Sequence, residues 1–310
     1  MAITDFQDIY EAVLGELKIQ TADTTTLTRV KQDINIIYTN EVAPFKKWDW
    51  LKGSTKVQVP AYYSTGTATV TNASTSVTIS SSIAATKANY YFAVDGYEEI
   101  YVISAHTAGT ANLTLDAAYT GDSGSGLAYK IWTDTFALPT DCRESTAVTH
   151  AFQNRPLTPV SEEEFEELLA AHGARTEGRP QYYCTTDFYD PSGGAETESD
   201  RYRRIRFFPA VNTDATTCSV SYAKEVSAMS SDGDEPLMPV EDRAVLVYGA
   251  AQRAWARERN EAESARNDGL FQRKLARMAG KMKDSQAKPK LTISRRYLAA
   301  KRRGNRRSDD

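Results

Sequence analysis

Apolar residues Phe6, Ile9, Tyr10, Val13, Leu14 and Leu17 recur at steps of three and four, so residues 6–19 read as a helix with one apolar stripe. Thr24, Thr25 and Thr26 are N-cap candidates for a second helix. In it Leu27, Val30, Ile34, Ile37, Tyr38 and Val42 form the next stripe, and Pro44 is expected to end it.

The period then changes. Residues 56–60 alternate polar and apolar, as a half-buried strand does, and from Ser64 to Trp132 helix formers give way to Thr, Ser, Val and Tyr. Short strands are expected at 68–70, 76–79, 91–94, 97–103, 111–115 and 128–132, enough for a small barrel or sandwich. Asp95-Gly96, between two of them, predicts a two-residue type I′ hairpin, because both central positions of that turn need positive φ.

Beyond Leu138-Pro139, Ser161 and Glu164 have capping-box spacing for a helix through Phe165, Leu168 and Leu169, which Gly173 closes. Strand-like runs at 181–188, 204–208 and 217–222 predict a second antiparallel sheet. Pro239 then introduces helical spacing through Val245, Leu246, Tyr248, Ala251 and Trp255, and again through Leu270, Leu275, Met278 and Met282. Packed on the first two helices, these would join both ends of the chain in one body.

The fold class expected is therefore α+β: a helical bundle from the N- and C-terminal regions, an inserted antiparallel β-barrel or β-sandwich, and a basic extended C-terminal arm. Its parts are residues 1–63, helices and first strand of the body; 64–133, the β insert; 134–285, the rest of the body; and 286–310, the arm.

With 310 residues, 41% hydrophobic and 25% charged, the chain is long and apolar enough for sizeable cores. Cys142, Cys184 and Cys218 are odd in number and widely spaced, which points to reduced thiols instead of a disulfide framework or zinc site. Residues 1–5 start an acidic amphipathic stretch, so neither a secretory leader nor a membrane span is expected.

His106, His150 and His172 are scattered, without ligand spacing, and read as structural or surface residues; no metal, cofactor or catalytic residue is expected. Glu162, Glu163, Glu164, Glu166 and Glu167 form the densest acidic group. Their place in the first turns of a helix accounts for them at about 0.3–1 kcal/mol each against the macrodipole. An alternative role is an acidic wall of a DNA conduit, where repulsion keeps phosphates moving.

The formal charge of −4 conceals a basic end. Lys288, Lys290, Arg295, Arg296, Lys301, Arg302, Arg303, Arg306 and Arg307 face only Asp309 and Asp310. A solvated tail explains such a run. Interleaved Leu291, Ile293, Tyr297 and Leu298 also suit docking on a partner, and extended residues reach roughly 75 Å at about 3.3 Å each.

The order of these elements resembles bacteriophage head-to-tail adaptor proteins. The resemblance runs from the 27–42 helix with Trp48 and Trp50, through Leu138-Pro139, Arg204-Ile205-Arg206-Phe207-Phe208-Pro209-Ala210 and Ser221-Tyr222. It continues through Asp234-Glu235-Pro236-Leu237-Met238-Pro239, the Ala-rich 244–257 helix and the 271–278 segment. It implies a homo-oligomeric ring of about twelve copies below a portal protein, a heterologous closed assembly that seals the head, passes DNA through its lumen and receives a tail or nozzle protein. It also implies that residues 288–310 grip the portal, and it carries over no catalytic residue.

Other readings stay open at this level: a tail-tube or capsid-associated protein, a cell-wall hydrolase using a Glu/Asp pair, or a DNA-binding module acting through the tail.

Overall fold

The computed structural model describes residues 3–20, 22–150, 155–188 and 202–285. The chain divides into two compact units, Met1–Trp50 with Val226–Asp310, and Leu51–Glu225.

The first unit is helical. Helix α1 (Phe6–Glu16) starts where the Asp5 carboxylate accepts the Asp8 N–H at 2.8 Å. Helix α2 (Thr24–Ile36) is capped in the same way by Asp23, one residue before the threonines the sequence pointed to, because an ionised carboxylate accepts the Thr26 N–H. Residues Ile37–Val42 widen into a π-helix and Ala43–Phe45 close the run, so Pro44 sits inside the last turn, near its start, where no backbone N–H is required.

Helix α3 (Glu162–His172) belongs to the other unit; α4 (Ala244–Arg257) and α5 (Glu261–Ser285) complete this one. Helix α4 packs against α1, α2 and α5, which brings the two ends of the chain into one bundle, as the apolar stripes predicted. Ile9, Val13, Ile34, Ile37, Val245 and Leu246 are all buried there. Gly249 makes one crossing possible, since a Cβ on it would lie 2.8 Å from Ile37.

Among the described residues the second unit has fifteen strands: β1 Lys52–Val59, β2 Ala68–Val70, β3 Ser76–Ile83, β4 Tyr91–Val94, β5 Tyr101–His106, β6 Thr110–Leu115, β7 Gly124–Leu127 and β8 Tyr129–Trp132. Then follow β9 Thr135–Ala137, β10 Cys142–His150, β11 Arg155–Pro156, β12 Thr158–Pro159, β13 Tyr182–Phe188, β14 Tyr202–Phe208 and β15 Thr216–Lys224.

Seven strands, in the order β7-β2-β3-β6-β5-β4-β8, form a nearly closed antiparallel barrel. The two edge strands, β7 and β8, are separated in sequence by Ala128 alone, so the chain itself turns the corner that brings the edges round. Alternating Val77, Ile79, Leu113 and Leu115 point inward with Phe92, Tyr119 and Tyr129, and the Thr and Ser residues between them face water.

The Asp95-Gly96 hairpin is a correction. Val94 accepts the Tyr97 N–H and Gly96 has φ 89°, but Asp95 is not in the positive region, so the turn is not type I′. Pairing begins later, with Phe92 opposite Tyr101. The physical reason is Arg175, whose guanidinium donates to the carbonyls of Val94, Tyr97 and Glu99 and holds residues 95–100 as a loop.

The remaining strands make two sheets where the sequence predicted one. Their orders are β1-β15-β10-β11 and β12-β13-β14-β9, with β12 and β13 parallel. Val59, Val148, Cys218 and Val220 from the first meet Tyr183, Ile205 and Phe207 from the second in a shared core. The opposite face of β14 presents Phe208 to Phe165 of α3.

Candidate assembly surfaces

Helix α3 carries the acidic cluster, and the structure assigns its members different work. Ser161 Oγ accepts the Glu164 N–H at 3.2 Å while the Glu164 carboxylate accepts the Ser161 N–H at 2.9 Å, the capping box its spacing predicted. Glu166 pairs with Arg206, whose other side grips the buried Asp134 at 2.7 Å and whose plane lies 4.4 Å from the Phe165 ring centre.

Burial opposes the Arg206 cation, but Asp134 and Glu166 outweigh it and hold its protonation above the ordinary range. Burial first, and then Asp134, pushes the neighbouring Tyr91 phenol up to about 12. Glu162, Glu163 and Glu167 are left exposed, with no ion pair among the described residues. They form an acidic face on the outside of this helix.

The helical unit presents a second surface. Tyr38, Trp50, Trp48 and Phe45 stack as a ladder with ring centres 6.0–6.4 Å apart. Trp48 Nε1–H donates to the Val42 carbonyl at 2.7 Å, which satisfies an acceptor left open where the helical run ends. Phe45, at the open end of the ladder, is 54% exposed.

Two contacts tie this end to α5: Lys46 donates to the Ala279 carbonyl at 2.8 Å, and Lys281 pairs with Glu241 and Asp242. Exposed Phe45 and Val240 therefore flank the last described turns of α5. The basic residues Lys288, Lys290, Arg295, Arg296, Lys301, Arg302, Arg303, Arg306 and Arg307, with Leu291, Ile293, Tyr297 and Leu298, follow along the chain and lie outside the described residues.

The motifs behind the family resemblance turn out to fix the frame. Asp234 accepts the N–H groups of Ser230 and Ser231, which hold its carboxyl below the ordinary range. Leu237 donates its N–H to Tyr38 Oη at 2.9 Å. Buried Arg243 donates to the carbonyls of Thr4, Pro236 and Met238. Ile205 and Phe207 enter the sandwich core while Arg206 and Phe208 face α3.

The three cysteines are free and buried, and burial pushes the thiols of Cys142 and Cys218 up to about 11, which removes nucleophilic character at neutral pH. His106 accepts the Lys87 N–H and His172 stacks near Phe208. His150 is the exception: it is buried, its Nδ1 has no partner among the described residues, and an unpaired buried polar atom costs about 1–3 kcal/mol. Sequence reasoning placed no weight on it, since a lone histidine has no pattern around it.

A protein-family model described as SU10 adaptor protein matches residues 88–300, more than half of the chain. No curated protein matches it.

Proposed function

Because the chain belongs to the SU10 adaptor protein family, a family of bacteriophage head-to-tail adaptors, we propose that its copies form a ring below the portal, close the DNA-filled head and provide the tail attachment site. The coarser role rests on membership alone: this is a structural protein of the phage virion that works with portal and tail components, and the family is not one of enzymes.

The observation that carries the finer reading is the family match over residues 88–300, joined to two surfaces of opposite charge on one chain. A ring closes through head-to-tail contacts, which need two different complementary patches on each subunit. Exposed Glu162, Glu163 and Glu167 supply an acidic face that also repels phosphate where DNA passes a lumen. The basic 288–310 arm, which lies outside the described residues, is assigned to the portal.

Cosedimentation with purified portal rings tests this directly. Full-length protein is expected to pellet with the portal, and a chain ending at residue 287 to lose most of that association. Unchanged association after truncation would dismiss the arm. Electron micrographs of particles carrying labelled protein are expected to show one ring at the neck, and label elsewhere on the particle would overturn the placement.

A further inference from the structure

Two clefts in the second unit, of about 580 and 320 Å³, share His150 and Arg179 as lining residues. The first also takes Lys56 and Gln58 from β1 and Asp214 and Thr216 from the entry to β15; the second adds Arg155, Leu157 and Tyr182. Register explains the assembly: His150 ends β10 opposite Arg155 on one side and Cys218 on the other, and Val59 at the end of β1 faces Thr216. Residues distant in sequence thus converge at one end of the sandwich.

Their electrostatics are uneven. The side chains of Lys56, Arg155 and Arg179 are exposed and make no ion pair or hydrogen bond among the described residues, while Asp214 is the only carboxylate among the residues lining the two clefts. His150 is 5% exposed and lines both clefts, with Nδ1 unpartnered. Its Nε2 lies 3.5 Å from Thr216 Oγ1. When the Thr216 hydroxyl donates to Nε2, Nδ1 carries the proton and becomes a donor without an acceptor.

A donor of this kind beside unpaired guanidinium groups is complementary to a carboxylate, which can accept several N–H bonds at once. The shape narrows the choice further. Duplex DNA presents its phosphates on a broad convex surface, whereas a concave pocket walled partly by Leu157, Pro156 and Pro180 admits a single inserted side chain.

We propose that these two adjoining clefts receive an acidic side chain from a partner polypeptide, with Arg155 and Arg179 binding the carboxylate against the buried His150 imidazole that lines both. This goes beyond the ring and the portal arm: it adds a third contact, on the β unit, specific for Asp or Glu. In this arrangement Lys56 contributes long-range attraction.

Calorimetric titration of the full chain with a blocked tetraglutamate peptide, at low salt, tests it. The expected result is binding that weakens at least tenfold in Arg155→Gln/Arg179→Gln and by a smaller factor in His150→Gln; a blocked tetraglutamine peptide should not bind. The basic arm is present in every protein compared and is fitted as a separate set of sites, so the affinity compared is that of the site the double variant lacks. Arg155 and Arg179 are exposed, and the fold should survive their replacement, as circular dichroism would verify.

In the unaltered protein, the His150 imidazole resonances should move as peptide is added. Equal affinity in wild type and the double variant, or an unmoved His150, overturns the proposal. So does loss of duplex DNA binding in the double variant with peptide binding intact. None of these outcomes bears on ring formation, which the portal experiment reads separately.

Discussion

The helical unit and the β unit differ in how far they satisfy buried polarity. In the helical unit, Asp33 is buried on α2 and takes Arg253 and Arg257 of α4, and Arg243 is buried among four acceptors. Charge there locks one helix to another. In the β unit His150, Asn212, Thr186 and Tyr119 each keep a buried polar atom without a partner among the described residues. Among the described residues the bundle leaves only Trp255 Nε1 and Asn267 Oδ1 unpartnered, while the β unit leaves more such atoms, one of them on His150, which lines clefts open to something outside the chain.

The sharpest way to break the comparison is Arg253→Ala/Arg257→Ala, which strands a buried carboxylate and should cost about 3–5 kcal/mol by urea denaturation. A cost below about 1 kcal/mol would mean the bundle does not depend on its charges. In the barrel, Ile103→Ala should cost about 2–5 kcal/mol through lost burial alone, with no dependence on ionic strength. Salt-dependent destabilisation there would blur the distinction.

Gly249→Ala drives a Cβ into Ile37 and is expected to cost about 1–3 kcal/mol, readable as a lowered melting temperature. Ser161→Ala removes a cap and should cost about 1 kcal/mol, without loss of Glu166 pairing.

The smallest effect is a pH dependence. Burial, and then Arg179, lowers the His150 pKa below its ordinary 6.5. The unfolded chain therefore takes up the proton first, so this contribution is complete above about pH 6.5 and is lost as pH falls through the folded value. Wild type should lose stability relative to His150→Gln as the pH falls below about 6.5 in paired melting curves, and parallel curves would remove His150 from the account.

The helices were legible because a 3.6-residue period survives any loop arrangement, and the α3 cap because Ser161 and Glu164 interact locally. Strand β10 was not foreseen: two register shifts, between Cys142 and Glu144 and between Ser145 and Ala147, break the alternation that marks a strand. The π-helix at Ile37–Val42 has no sequence signature, since its residues still read as helix. Arg175, which undoes the Asp95-Gly96 hairpin, lies 79 positions beyond Gly96, out of range of any turn rule.

The surfaces divide the same way. The acidic helix was visible as a run of glutamates, though not which of them Arg206 and the cap would occupy. The cationic cleft was invisible, because Lys56, His150, Arg155 and Arg179 meet only through strand register.

The barrel is entered at Tyr63 and left at Ile131, and these two residues exchange both backbone hydrogen bonds at 2.8 Å. Whatever lies between them is thus a cassette on a two-stranded stem. The segment can be lengthened, replaced or removed and the sandwich still spliced together over a gap that a short turn spans.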